Sequence, residues 1–247
     1  MSIAELSTSD EALAANAPVL ELVDVRAAYG PIEVLHGVNL AVHSGQVVAL
    51  LGPNGGGKST TVKIAAGLMP PTAGDVRYAG RSVTGISAEE AAGLGVCTIP
   101  EGRGVFANLS VRENLWLATG TGTPREQVEE AAFARFPVLG DRRNQLAGSM
   151  SGGEQQMLAL SRALATKPAV LLLDELSMGL APMIVGQIYE TVAQLVGEGI
   201  SVLVAEQFAR TVLPIADLAA VMLNGRITAV GSPADIAADL STAYLGG

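Results

Sequence analysis

The stretch Gly52-Pro53-Asn54-Gly55-Gly56-Gly57-Lys58-Ser59-Thr60 restricts what this chain can fold into more than any other. It has the spacing G-x-x-x-x-G-K-[ST]. The apolar run Val47-Val48-Ala49-Leu50-Leu51 precedes it and reads as a buried strand. Lys58 to Leu68 follows and reads as a helix, stopped by Gly67 and the Pro70-Pro71 pair. In a strand–loop–helix of this kind, glycines let consecutive N–H groups turn inward on an anion. The helix N-terminus adds partial positive charge at the same point. Lys58 would reach the β- and γ-phosphates of a nucleotide, and the Ser59 hydroxyl would ligate Mg²⁺. A chain with 29 glycines can produce a glycine-rich turn that binds nothing. The Lys58-Ser59 pair in this context favours the nucleotide.

Two further segments fit that reading. Val170-Leu171-Leu172-Leu173 has the continuous apolar character of a parallel strand buried on both faces, and it ends in Asp174-Glu175. Ligands of open α/β sheets sit at the carboxyl ends of strands. Asp174 is therefore expected to hold Mg²⁺ through water, and Glu175 to polarise the attacking water as general base. Ser151-Gly152-Gly153-Glu154-Gln155 carries a capping box, with Met157, Leu160 and Leu164 at helical spacing behind it and Pro168 as the stop. A cap alone does not call for Gly152 and Gly153, which cost helix stability. Close approach of an anion to bare backbone would.

The order of phosphate loop, Ser-Gly-Gly-Glu-Gln and Leu-Leu-Leu-Asp-Glu resembles the ATP-binding subunits of ABC transporters, over about Val19 to Leu245. Finer segments are similar to the branched-chain (hydrophobic) amino-acid importers, LivF type. These are Ile99-Pro100-Glu101-Gly102-Arg103, Gly148 to Met157, Gly179-Leu180-Ala181-Pro182 and Ala205-Glu206-Gln207. Importers of urea and short amides share much of the pattern. The resemblance implies an α/β fold: a P-loop ATPase with a RecA-like core, a small antiparallel β layer and a helical signature subdomain.

It also implies roles. Gly52, Pro53, Asn54, Gly55, Gly56, Gly57, Lys58, Ser59 and Thr60 would cradle ATP, with Tyr29 stacking on adenine. Ser151, Gly152, Gly153 and Glu154 would close over ATP held by a partner subunit. Catalysis would fall to Glu175, Lys58, Glu101 and Gln207, and Mg²⁺ to Ser59, Asp174 and Glu101. Glu101 stands where most of the superfamily has glutamine, Gln207 where histidine is usual, and Ala181 where aspartate is usual. Three residues depart even from the branch: Gly56 for alanine, Leu176 for proline and Phe208 for asparagine. Gly56 would loosen the empty loop, and Leu176 would leave the turn at Glu175 less restrained.

The implied partners are a second ATPase subunit, polytopic permease subunits and, indirectly, an extracytoplasmic solute-binding protein, at the cytoplasmic face of the cell membrane. Phe106, Leu109 and Val111 would supply the apolar surface for a permease helix, or simply pack the subdomain. A non-transport ABC ATPase moving a soluble partner, and a regulator with little turnover, stay open at this point.

Composition excludes other classes. Fifteen basic against 24 acidic residues give a net charge of −9, which argues against a nucleic-acid partner. Cys97 is the sole cysteine and reads as an inert buried thiol. His36 and His43 show no metal spacing. No apolar run reaches the length of about 18 residues that a membrane span requires, and the amino end lacks the pattern of a secretory signal. Residues 1–17 are expected to form a flexible tail, and 18–247 a single domain with a helical subdomain over about 102–165. Residues 19–50 and Asp75-Val76-Arg77-Tyr78 suit the antiparallel layer. Ile200 to Ala205 reads as a strand, and Leu218–Leu223 with Arg226–Val230 as a hairpin around Asn224-Gly225.

Overall fold

The computed structural model describes residues 17–102 and 104–245. Residues 1–16 of the expected tail and Arg103 lie outside the described residues. From the amino end, β1 (Leu20–Tyr29) and β2 (Ile32–Val42) form a hairpin, and β3 (Val47–Leu51) leads through the glycine loop into α1 (Lys58–Ala65). β4 (Ala73–Tyr78), β5 (Arg81–Ser82), α2 (Ala88–Gly93) and β6 (Val96–Ile99) follow. Next come four helices, α3 (Val111–Trp116), α4 (Arg125–Arg135), α5 (Pro137–Asp141) and α6 (Gly152–Ala165). β7 (Val170–Asp174), α7 (Pro182–Gly197), β8 (Ser201–Glu206) and α8 (Ala209–Val212) return to α/β alternation. β9 (Leu218–Leu223), β10 (Arg226–Gly231) and α9 (Pro233–Leu245) complete the described residues.

The strands form two sheets. A four-stranded antiparallel sheet runs β2-β1-β4-β5, and a six-stranded sheet runs β10-β9-β3-β8-β7-β6. In the larger one β3 pairs parallel with β8 and β9, and β7 pairs parallel with β8 and β6. Only the β9–β10 hairpin is antiparallel there.

Side-chain alternation sorts the large sheet's residues into two cores. Val47, Ala49, Leu51, Leu171, Leu173, Val202 and Val204 join the core shared with α3 to α7. Val48, Leu50, Val170, Leu172, Leu203 and Ala205 join the core shared with α1 and the antiparallel sheet. With both faces covered, every residue of β3, β7 and β8 is buried. This is why these segments read as unbroken apolar runs rather than alternating ones.

Three boundaries differ from the sequence reading. The antiparallel layer takes residues 19–50 only as far as Val42, because Val47–Leu51 needs cover on both faces and enters the parallel sheet. The helix expected to run from Lys58 to Leu68 ends at Ala65, where the Ala66-Gly67 turn closes it and Leu68 N–H donates to Lys63 O at 2.8 Å. The strand expected over Ile200–Ala205 is shifted to Ser201–Glu206, which brings a carboxylate into a buried strand.

Within the helical segment, α3 and α6 both start on capping boxes, Ser110 with Glu113 and Ser151 with Glu154. α6 ends at Ala165. Lys167 then takes a φ of 52° ahead of Pro168, which allows no further turn.

Candidate active site

The carboxyl ends of β3, β8 and β7 lie side by side, so three separate chain segments meet there. β3 delivers the glycine loop, β7 delivers Asp174 and Glu175, and β8 delivers Glu206 and Gln207. Ser59 Oγ donates to Asp174 Oδ1 at 3.0 Å, across 115 residues of sequence. Lys58 Nζ donates to the loop carbonyls of Gly52 (3.0 Å) and Pro53 (3.1 Å) and forms an ion pair with Glu175 Oε1 at 3.0 Å. Both side chains of that pair are almost fully buried, 2 % and 7 % exposed. A buried pair of this kind depends on each partner neutralising the other.

Asp174 is pushed above the usual carboxylate range. Burial is the main cause, the Ser59 hydrogen bond pulls it back, and the nearby charges of Glu175 and Glu101 raise it again. The site thus crowds oxygen donors and negative charge around Ser59 and Asp174. A hard divalent cation is the ligand such donors take, so Ser59 and Asp174, with Glu101 in the same field, fit Mg²⁺.

The loop is fastened at both ends of Gly56. Gly56 N–H donates to Pro53 O at 3.0 Å, and Gly225 N–H donates to Gly56 O at 2.8 Å. A Cβ at Gly56 would come within 2.9 Å of Pro53 O. The 53–56 turn thus closes tightly at Gly56 and is tied to the β9–β10 hairpin. Pro53, Asn54 and Gly55 remain exposed at the crown of the loop, and Thr60 is buried in the first turn of α1. Gly225 was legible only as a hairpin residue. Its bond to the loop joins segments distant in sequence, and no local pattern carries that.

Tyr29 ends β1 with half its surface exposed. Glu101 and Gln207 are exposed beside the buried residues of the site. Ser151, Gly152, Gly153 and Glu154 are placed elsewhere. Ser151 N–H donates to Glu154 Oε2 at 2.9 Å, and Glu154 Oε1 pairs with Arg142 Nε at 3.1 Å. None of their described contacts reaches the glycine loop. The two glycines also differ. A Cβ on Gly153 would lie 2.4 Å from Ile184 Cγ2 of α7, so close helix packing within the chain requires this glycine. Gly152 is exposed, and a Cβ there would meet only the end of the Leu180 side chain, at 3.2 Å.

Glu206, Ser177 and Tyr189 were missed as parts of this region. Ser177 N–H and Oγ, together with the Tyr189 hydroxyl, all donate to the buried Glu206 carboxylate. The signal was present: an acid ending an apolar strand at the same sheet edge as Asp174.

The family model described as ABC transporter matches residues 35–177, which include the glycine loop, Ser151-Gly152-Gly153 and Asp174-Glu175. The high-affinity branched-chain amino acid transport ATP-binding protein BraG of Pseudomonas aeruginosa is 42% identical over 93% of this chain and 100% of its own length. The chain belongs to the ABC transporter ATP-binding family. A second ABC relative, named "Probable branched-chain amino acid transport ATP-binding protein LivF", of Archaeoglobus fulgidus, is 34% identical over 87% of this chain and 92% of its own. The ADP conformation of a solved ATP-binding cassette of an ABC transporter superposes with a TM-score of 0.82, at 26% identity, over 94% of this chain and 100% of that one. The ABC fold therefore runs through the antiparallel sheet, the RecA-like sheet and the helical segment alike. As an ABC ATPase, the chain binds nucleotide. No helix among the described residues is long and apolar enough to cross a membrane.

Proposed function

We propose that this chain powers the uptake of branched-chain or other hydrophobic amino acids, as a peripheral subunit on the cytoplasmic face of a membrane. The observation that carries the solute class is the identity of 42% with BraG along that protein's whole length. In this reading the chain pairs with a second ATPase subunit and docks polytopic permease subunits fed by an extracytoplasmic solute-binding protein. The helical subdomain spans about residues 102–165.

ATP is the substrate. The N–H groups of the loop from Gly52 to Thr60 and the ammonium of Lys58 receive its phosphates, and Tyr29 offers a ring to adenine. Ser59 and Asp174, with Glu101, would hold Mg²⁺, which when bound would offset phosphate charge. Glu175 takes the proton of the attacking water, and Gln207 donates a hydrogen bond toward the γ-phosphate. Ser151, Gly152 and Gly153 would close over ATP held by the second ATPase subunit, with Glu154 shaping that helix start, and that subunit's own signature would close over ATP held here. Positioning and electrostatics supply the catalysis in such a site.

A groove of about 350 Å³, lined by Pro100, Val105, Phe106, Leu117 and Arg162, suits a permease helix. Phe106 is 52 % exposed, and the Arg162 guanidinium stacks on its ring at 4.7 Å. The expected result is that a polytopic membrane protein copurifies with the chain from detergent-solubilised membranes. Phe106→Asp should weaken that association and abolish leucine uptake while ATP binding by the soluble chain stays within about twofold. Copurification with soluble proteins alone, or unchanged uptake in Phe106→Asp, contradicts the reading.

A further inference from the structure

β8 ends on a carboxylate that the roles above do not use. Glu206 is 1 % exposed. Its Oε1 accepts from Ser177 N–H at 3.0 Å and from the Tyr189 hydroxyl, and its Oε2 accepts from Ser177 Oγ at 2.8 Å. A buried carboxylate bonded by three neutral donors forms a stiff joint, because losing it would leave all three unsatisfied. Its own backbone adds another link, since Gly52 N–H at the start of the glycine loop donates to Glu206 O at 3.3 Å.

What the joint fixes is the turn that begins at Glu175. Glu175 has a φ of 51°, in the left-handed region that residues with side chains rarely adopt. Its N–H donates to Ala205 O at 2.9 Å, which anchors one end of the turn to β8. Within the turn Met178 N–H reaches Glu175 O only at 3.4 Å, a weak closure. Ser177, held twice by Glu206, is the second anchor. Leu176, between them, is buried at 1 % exposure and carries no ring to restrain the backbone. Strained backbone persists where its surroundings over-determine it; here the Ala205 carbonyl, the Lys58 ion pair and Ser177, itself held by Glu206, surround the turn.

We propose that Glu206 is a positioning residue, whose grip on Ser177 and Tyr189 keeps Glu175 in its left-handed turn beside Lys58. The proposal rests on the reading of Glu175 as general base. It gives the carboxyl end of β8 two tasks: Gln207, just past the strand, is assigned to the nucleotide, and Glu206 sets the geometry of the neighbouring strand's base.

Single-turnover ATP hydrolysis and ATP affinity test this on the full-length chain with the proteins that copurify with it. The variants are Glu206→Leu, Glu206→Gln, Glu175→Gln and the double Glu206→Leu/Glu175→Gln. Glu206→Leu should slow hydrolysis about 10- to 100-fold, as expected for a misplaced catalytic group, with ATP affinity within about threefold. Glu206→Gln should recover most of the rate. Its carbonyl oxygen can accept from Ser177 N–H and Tyr189, and its amide can donate to Ser177 Oγ. In the Glu175→Gln background, Glu206→Leu should add no further loss, because the two act as a unit.

A wild-type rate in Glu206→Leu, an equal loss in Glu206→Gln, or a full multiplicative loss in the double variant overturns the proposal. Should Glu206→Leu not fold, Tyr189→Phe removes one donor without changing the packing. Its expected loss of about two- to fivefold should vanish in the Glu175→Gln background, and persistence of that loss overturns the proposal. Wild-type turnover in Glu175→Gln alone defeats the base assignment and this proposal with it. A normal Glu175→Gln defect with an additive Glu206→Leu loss defeats the positioning role only.

Discussion

Glu175→Gln is expected to lower ATP turnover by roughly 10²–10⁴ and to tighten ATP binding by about two- to tenfold. The first effect follows from the loss of a proton acceptor, since an amide of the same shape cannot take the proton of the attacking water. The second follows from the ion pair seen at 3.0 Å between Lys58 Nζ and Glu175 Oε1. Phosphate oxygens must draw on the same ammonium that Glu175 already holds. Glutamine removes the charge that competes for Lys58 while leaving the loop carbonyl bonds to Gly52 and Pro53 in place. Direct titration with ATP and a steady-state phosphate-release assay measure the two effects separately. Unchanged turnover would remove Glu175 from the base role. A fall in affinity would mean that Glu175 supports Lys58 rather than competing for it.

Gly152→Asp is expected to reduce turnover by at least about 10² while the chain folds and binds ATP at its own loop. The substitution puts an anion where a partner's triphosphate would approach the backbone. Because Gly152 is exposed and only the flexible end of Leu180 stands nearby, the fold can absorb the new side chain. Gly153 is the internal contrast. Ile184 occupies the space a Cβ would need, so Gly153→Val should fail by loss of α6–α7 packing, seen as a lower melting temperature. Turnover near wild type in Gly152→Asp, assayed with the second ATPase subunit present, would rule out a shared site.

Much of the fold could be read because its decisive segments are local. Val47–Leu51 and Val170–Asp174 are short apolar runs bounded by glycine or acid. Doubly buried parallel strands have no alternative pattern to show. The capping box at Ser151 and the Asn224-Gly225 hairpin were equally plain, since each is written in consecutive residues. Long-range closures were not legible. Nothing near Gly56 in sequence announces the Gly225 N–H that holds its carbonyl, and nothing near Glu175 announces that Glu206 fastens its turn. Gly153 carries a second reason for its lack of a side chain that the sequence did not show. A glycine at a helix start suits an approaching anion and a neighbouring helix equally well, and the position of Ile184 adds the packing reason to the first. The resemblance supplied Glu101 and Gln207 as candidates. Their exposure beside buried Asp174 and Glu175 is a property of the folded strand ends.

Equilibrium binding of ATP to the full-length chain, with and without Mg²⁺, in wild type and Lys58→Ala, is the most direct measurement of the central claim. Saturable binding that strengthens with Mg²⁺ and weakens about 10- to 100-fold in Lys58→Ala is the predicted result, as expected for the loss of a charge-assisted contact. Absence of magnesium-dependent affinity in the wild type, even with its copurifying partners supplied, would contradict it.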